Sequence, residues 1–149
     1  MVVTGVSRLR GSSAACSAWP LHSYLEVPAR PESVCSARRH ARGVLREWNL
    51  EALTETAELL ISEITTNAVR ATAGLPGHGE APVCVWLTSD RSSLLIQVWD
   101  GDHRPPRPRC AKPDHEAGRG LLLVEALSVE WGCQTSEAAP GKVVWALCG

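Results

Sequence analysis

The sequence predicts an α+β fold, a two-layer α/β sandwich in which helices cover one face of a mostly antiparallel mixed sheet. Two observations lead to this expectation. Two long segments, 31–48 and 51–72, carry apolar residues at helical spacing. Two short apolar runs, 83–88 and 93–99, are separated by a turn-like Ser-Asp-Arg-Ser segment, which is typical of an antiparallel hairpin. Helices and strands in this order pack most simply as one helical layer on one sheet.

The N-terminal part of the chain divides into a leader and the start of the domain. Residues 1–18 are rich in Ser, Ala, Gly and Arg, and this composition predicts a flexible leader. The folded domain is therefore expected to span residues 19–149. Residues 19–27 predict the first strand, which Pro28 closes. In the helix that follows, four arginines lie mainly opposite the apolar residues and predict a solvated face: Arg38, Arg39, Arg42 and Arg46.

The second half of the chain predicts two loops and three further elements. Residues 73–82 are rich in Gly and Pro and predict a loop. Residues 100–118 are rich in Pro, Arg and Gly without periodicity, and predict a mobile loop. Residues 121–127 predict a short helix. Two strands, 128–134 and 142–147, are expected to close the sheet.

Size, charge and cysteine usage restrict the function classes. A chain of 149 residues is one domain, large enough to bury a core. The formal net charge of −1 gives no general reason to expect nucleic acid or an anionic membrane as a partner. No segment approaches the roughly 18 apolar residues of a membrane span. The six cysteines show no Cys-x-x-Cys spacing and no secretory leader precedes them, so we expect thiols in a reducing cytoplasm.

Glu63 and Asn67 are the most informative polar pair in the sequence. They lie four residues apart and therefore stack on the same side of the 51–72 helix. Asn67 falls at the margin of the apolar stripe of this helix, and Glu63 lies a little beyond it. Polar groups at this margin lose water and need partners, which could be protein groups or a ligand and its metal. A solvated helix flank is the simpler alternative for the pair taken alone.

A second polar element, Asp100-Gly101-Asp102, follows the predicted strand 93–99. A carboxylate at the end of a buried strand, followed directly by Gly, places an acceptor where the backbone can turn sharply. An Asp held in this way can accept a hydrogen bond from an exocyclic amine such as that of adenine. An ordinary Asp-Gly turn is the alternative interpretation.

A third element, Gly118-Arg119-Gly120-Leu121, leads into the predicted helix 121–127. Glycines at the start of a helix let backbone N–H groups approach a phosphate, and the helix N-terminus favours anions. Arg119 could add a cation toward phosphates. A flexible joint is the alternative. The segment is not a Walker-type loop, because the chain has no Gly-x-x-x-x-Gly-Lys-Ser/Thr.

The three elements together resemble the N, G1 and G2 boxes of the gyrase, Hsp90, histidine-kinase and MutL (GHKL) ATPase superfamily, which has the Bergerat ATP-binding fold. They occur in the order Glu-x-x-x-Asn-Ala, Asp-Gly-Asp and Gly-x-Gly-Leu. The compact size and the run Gly-Leu-Leu-Leu-Val-Glu-Ala-Leu at 120–127 look like the anti-sigma-factor serine/threonine kinase branch. The likeness covers roughly residues 19–147.

The resemblance implies a role for each matching residue. Asn67 would bind Mg²⁺ through its amide oxygen. Glu63 would act as general base toward the hydroxyl that attacks the γ-phosphate of ATP. Asp100 would accept the adenine amine, within a nucleotide-binding turn that includes Gly101 and Asp102. The phosphates would be wrapped by four residues: Gly118, Arg119, Gly120 and Leu121.

The resemblance also implies a function and a class of partner. It points to a cytoplasmic ATP-binding regulatory protein that binds a sigma factor or an antagonist protein and phosphorylates that antagonist on Ser or Thr. No direct contact with nucleic acid or membrane is expected. A sensor histidine kinase is less favoured, because no separate helical hairpin precedes the predicted ATP domain. The sequence leaves the oligomeric state open, although proteins of this branch commonly form homodimers.

The chain departs from the family pattern in its G1 region, at the position four residues after the Asn, and in its lid, residues 104–117, which is short and rich in Pro and Arg. Residues 103–106, His-Arg-Pro-Pro, stand where a second G1 glycine is expected. Ala71 takes the position of a His that many relatives carry four residues after the Asn. Lys142 follows Gly141 at the start of the last strand and has no role implied by the resemblance. A non-catalytic nucleotide-dependent protein-binding module therefore remains an alternative.

Overall fold

The computed structural model describes residues 18–75, 81–102, 104, 116–136 and 139–149. Within these ranges the chain forms five strands and three α-helices. The strands are β1 (Leu21–Pro28), β2 (Pro82–Ser89), β3 (Leu94–Asp100), β4 (Glu130–Ser136) and β5 (Ala139–Cys148). The helices are α1 (Glu32–Glu47), α2 (Thr54–Ala73) and α3 (Glu116–Leu127).

The sheet formed by these five described strands has the order β1-β2-β3-β5-β4, and each neighbouring pair is antiparallel. The predicted hairpin is present as β2 and β3. The central strand β3 pairs on its other side with β5, and this register places Asp100 opposite Lys142. The C-terminal end of β3 and the N-terminal part of β5 therefore lie side by side at one end of the strands.

The described helices pack on one face of the sheet, as predicted. Successive side chains of a strand point to opposite faces, so every second residue of β2 and β3 enters the core between the layers. The buried residues of α2 complete this core on the helical side. The core includes Ala57, Leu60, Ile64, Val83, Val85, Leu87, Ile96 and Val98. The predicted two-layer α+β sandwich is confirmed.

The opposite face of the sheet carries a small apolar cluster of its own. Leu95 and Trp145 are buried there, and Trp19 and Leu147 pack against them. A Cβ atom added to Gly132 would lie 2.9 Å from the indole of Trp145. This glycine therefore makes room for the indole on the neighbouring strand, and the cluster covers part of the sheet face away from the helices.

The first two helices agree closely with the sequence predictions. Helix α1 begins and ends within one residue of the expected 31–48, and its four arginines are exposed. Arg42 on α1 donates a hydrogen bond of 2.8 Å to Glu58 on α2. Helix α2 follows a single 3₁₀ turn, Glu51–Leu53. None of the described helices combines the length and the hydropathy needed to cross a membrane.

The start of α3 corrects one prediction. The helix begins at Glu116 rather than at residue 121, so Gly118 and Gly120 lie inside its first turns and not in a preceding loop. Glycine is a poor helix former, but Leu121 and Val124 are buried at 3% and 0% exposure. Packing of these side chains outweighs the low helix propensity of the glycines.

Smaller differences concern the last strands and the segments outside the described residues. Strand β4 begins two residues later than the expected 128–134, and β5 extends beyond the expected 142–147 at both ends. The predicted leader lies outside the described residues except for Ala18, as does most of the predicted loop 100–118. The described thiols are free, as expected: Cys35, Cys84, Cys133 and Cys148.

Candidate functional site

Helix α2 presents Glu63 and Asn67 on one side, one turn apart. The buried side of α2 faces the sheet through Leu60, Ile61 and Ile64. Glu63 and Asn67 are half-buried at the edge of this apolar surface, where the helical periodicity predicted them. Their position leaves the carboxylate and the amide able to reach a group that lies against the side of α2.

Helix α3 supplies that neighbouring group at Gly120. The residue is buried, and a Cβ atom added to it would lie 2.6 Å from Oε2 of Glu63 and 3.9 Å from Nδ2 of Asn67. Real Cβ atoms do not come this close to a carboxylate oxygen. The absence of a side chain at Gly120 therefore allows α3 to approach the acid and the amide of α2. The structure brings together residues from the first and third sequence elements.

Asp100 ends strand β3 with a buried carboxylate. It is 1% exposed. Oδ1 accepts hydrogen bonds from the backbone N–H of Asp102 at 2.8 Å and from Nζ of Lys142 at 3.0 Å. Oδ2 is buried and has no hydrogen-bond partner among the residues that the structure describes. A buried carboxylate oxygen without a donor is costly, so this atom fits a ligand that brings a donor.

The backbone at the start of β5 lies very close to the end of β3. Gly141 has a φ of +89°, in the left-handed region that favours glycine. A Cβ atom added there would lie only 2.2 Å from the carbonyl oxygen of Asp100. Lys142, which follows, is 5% exposed and also donates a hydrogen bond of 3.0 Å to the carbonyl oxygen of Asp102. Through these hydrogen bonds, the ammonium of Lys142 links the turn after β3 to the start of β5.

The electrostatics of the two aspartates differ. Burial raises the pKa of Asp100 above its ordinary value, and the charge and hydrogen bond of Lys142 oppose this rise without cancelling it. Arg104 has the opposite effect on Asp102, because its guanidinium donates hydrogen bonds of 2.8–3.0 Å to that carboxylate. These hydrogen bonds lower the pKa of Asp102. The carboxylate of Asp102 is therefore occupied by Arg104, while that of Asp100 keeps one open oxygen.

The structure describes the remaining predicted site residues to different extents. Gly101 is half-buried, and a Cβ atom there would make only ordinary contacts of 3.9 Å with Leu75 and Trp99. The side chain of Leu121 is buried at 3% exposure and contributes to packing. For Gly118 and Arg119 the structure describes a helical backbone only. His103 lies outside the described residues.

Lys142 is the residue that the sequence prediction left without a role. Its contact with Asp100 depends on the pairing of β3 with β5, which joins residues 42 positions apart. A local pattern around Gly141 and Lys142 carries no information about this pairing. Only the register of the two strands identifies Lys142 as part of the site.

Glu63 and Asn67 on α2 are candidate ligands of a metal ion. The described residues contain no group of three or more His, Cys, Asp or Glu that could hold a metal ion. Asn67 and Glu63 provide oxygen donors beside each other, which suits a hard cation such as Mg²⁺. Mg²⁺ is typically held by one or two protein oxygens together with substrate phosphates and water. The residues present fit such an ion but not an all-protein metal cage.

Comparison with known protein families finds a match that covers most of the chain. Residues 27–147 match the family described as "Histidine kinase-like ATPase domain". No match was found among the curated proteins. The matched range covers most of the chain and includes α2, the end of β3 and Gly120. The chain therefore belongs to the histidine kinase-like ATPase domain family, a member of the GHKL-type ATPase superfamily.

Proposed function

We propose that this protein binds Mg²⁺-ATP between α2, α3 and the end of β3, and transfers the γ-phosphoryl group to a Ser or Thr of a partner protein. The observation that carries the proposal is the contact of Gly120 with Glu63 and Asn67. Domains of this family bind ATP, usually with Mg²⁺. The anti-sigma-factor branch suggested by the sequence supplies the partner class, a sigma factor or its antagonist protein.

The base would bind at the end of β3. Oδ2 of Asp100 would accept a hydrogen bond from the adenine amine. This assignment is supported by the hydrogen bonds already made by Oδ1 and by Oδ2, to which none of the described residues donates. A donor that arrives with the base would satisfy a buried acceptor, which favours binding.

The phosphates would lie between α2 and the first turn of α3. Gly118 and Arg119 are in this first turn, where backbone N–H groups have no acceptor within the helix and attract anions. Asn67 would contact Mg²⁺ through its amide oxygen. When bound, the ion would neutralise charge on the phosphates. The approach of α3 to α2 at Gly120 supports the placement of all three groups beside one another.

Glu63 would provide the chemistry of transfer. As general base, its carboxylate would take the proton of the attacking Ser or Thr hydroxyl, while the hydroxyl oxygen bonds to the γ-phosphorus and the bond to the β-phosphate oxygen breaks. Its half-buried position on the same side of α2 as Asn67 supports this role.

The alternative function is a module that binds nucleotide and a partner protein without chemistry. It is favoured by Ala71, which stands where many relatives carry a His. The base end of the site, with its buried Asp100 and Lys142, would serve this function equally well. The two functions differ in the role of Glu63. Phosphoryl transfer requires its carboxylate as a general base, whereas nucleotide binding alone does not.

Asn67→Ala is expected to weaken Mg²⁺-dependent ATP binding by about tenfold to a hundredfold, because it removes the proposed oxygen ligand. Isothermal titration calorimetry with ATP, in the presence and absence of Mg²⁺, measures this effect. Ser62→Ala is the matched control, since the Ser62 hydroxyl donates to the Glu58 carbonyl within α2. Unchanged affinity in Asn67→Ala would show that the nucleotide site lies elsewhere.

Gly120→Ala is expected to leave the protein folded but to weaken ATP binding by about tenfold. The Glu63 carboxylate is the end of a flexible side chain and can move aside, and Ala favours the helix by about 1 kcal/mol. The displaced carboxylate would then occupy space between α2 and α3. Urea denaturation and calorimetry measure the two effects. Gly43→Ala is the control on α1, because nothing lies within 4 Å of its added Cβ. Wild-type ATP affinity in Gly120→Ala would contradict the proposed position of the phosphates.

Glu63→Gln is expected to reduce phosphoryl transfer by at least about a hundredfold while ATP still binds, because the amide cannot accept the proton. The measurement is transfer of labelled phosphate from Mg²⁺-ATP to candidate antagonist proteins. Glu58→Gln, on the same helix but paired with Arg42, is the control. Transfer at the wild-type rate by Glu63→Gln would refute the role of Glu63. Tight ATP binding by the wild-type protein without transfer to any partner would favour the alternative function.

A further inference from the structure

Lys142 is a buried cation that the proposed function does not yet use. It is 5% exposed and its ammonium donates to Oδ1 of Asp100 and to the carbonyl oxygen of Asp102, both at 3.0 Å. Burying an ammonium is costly unless it is paired and hydrogen-bonded. The arrangement satisfies this condition at Oδ1, beside the Oδ2 atom that the proposed site offers to the base.

The two oxygens of Asp100 are left in unequal states by these contacts. Oδ1 accepts from Lys142 and from the N–H of Asp102, which occupies its two lone-pair directions. Oδ2 has no donor. A free carboxylate could accept two hydrogen bonds from two neighbouring donors of a base. With Oδ1 occupied, Asp100 offers a single acceptor, which matches the single exocyclic amine of adenine.

Of the charged groups described around Asp100, Lys142 is the one whose charge opposes protonation of the Asp100 carboxylate. On β5 the facing group is Lys142. After β3, Asp102 is paired with Arg104. On β4, Cys133 is a partly buried thiol whose pKa is raised, chiefly by burial, while Lys142 acts to lower it and Asp100 to raise it. On α2, the carboxylate of Glu63 lies against Gly120. Among these described groups, only Lys142 donates a charged hydrogen bond to Asp100, while burial acts to raise the pKa of Asp100.

We propose that Lys142 is a specificity-determining positioning residue, which keeps Asp100 an ionised carboxylate with one open acceptor and so makes the site prefer a 6-aminopurine over a 6-oxopurine. This inference depends on the proposed nucleotide site. An adenine amine donates to Oδ2. The 6-oxo group of hypoxanthine presents lone pairs there, which an ionised oxygen repels.

Loss of Lys142 would change the state of Asp100 and therefore the base preference. Without the ammonium, burial favours the protonated carboxyl group. A protonated carboxyl group can donate a hydrogen bond to a 6-oxo group and no longer needs the amine of adenine. The preference for ATP over inosine triphosphate would then fall as the pH falls through the raised pKa of Asp100.

The test is the ratio of the affinities for ATP and inosine triphosphate at about pH 8 and about pH 6, measured by calorimetry with Mg²⁺. The two nucleotides carry the same phosphates, so changes in phosphate protonation cancel in the ratio. The wild-type protein is expected to keep a constant preference for ATP. In Lys142→Met the ratio is expected to fall by about tenfold or more between the two pH values. Lys142→Arg, which keeps the positive charge, is expected to restore a constant ratio.

Two further variants make the result decisive. Arg42→Met removes a cation from the surface pair with Glu58 and is the control, with an expected wild-type ratio at both pH values. The double variant Asp100→Asn with Lys142→Met removes both charges of the buried pair and carries the test if Lys142→Met does not fold. Its amide can donate or accept, so the ratio is expected to approach one at both pH values.

Each outcome separates this inference from the proposed function. A wild-type protein that binds neither nucleotide overturns the proposed function, and the role of Lys142 with it. Wild-type binding together with a constant ratio in Lys142→Met overturns the role of Lys142 alone. A double variant that keeps the full wild-type preference also overturns it, because neither Asp100 nor Lys142 would then set the choice of base.

Discussion

The approach of α3 to α2 at Gly120 is the contact on which the proposed site depends. A Cβ atom at this position would meet the Glu63 carboxylate at 2.6 Å, so any other residue would force the carboxylate or the helix to move. Leu121 and Val124 anchor α3 to the core next to this contact. The first turn of α3, with N–H groups that lack helical acceptors, directly precedes this contact in the chain.

The end of the site proposed to bind the base depends on a second close approach, between β3 and β5. Gly141 adopts a positive φ and leaves no room for a Cβ atom above the Asp100 carbonyl. The register then places Lys142 opposite Asp100, where the two form a buried ion pair. Such pairs contribute little net stability compared with apolar packing, and their best supported use is specificity. Both ends of the proposed site therefore rely on a glycine that lets two elements approach closely: Gly120 brings α3 to the polar side chains of α2, and Gly141 brings β5 to the end of β3.

Local patterns were sufficient to predict much of this arrangement but not its key contacts. The periodicity of α2 placed Glu63 and Asn67 correctly at the edge of a buried surface, because helix periodicity is a local property. The glycines of α3 led to a predicted helix start at residue 121, later than the observed start at Glu116. Helix propensity is a local property and does not include the packing of Leu121 against the rest of the protein. The role of Lys142 depends on strand register, a non-local property for which the sequence around it contains no signal.

The most direct measurement is a crystal structure of the protein with Mg²⁺ and a non-hydrolysable ATP analogue. The account predicts the adenine amine within about 3 Å of Oδ2 of Asp100, and the phosphates between the first turn of α3 and the side of α2 that carries Asn67. An analogue bound with its base away from Asp100, or with its phosphates away from the Gly120 contact, would contradict the account.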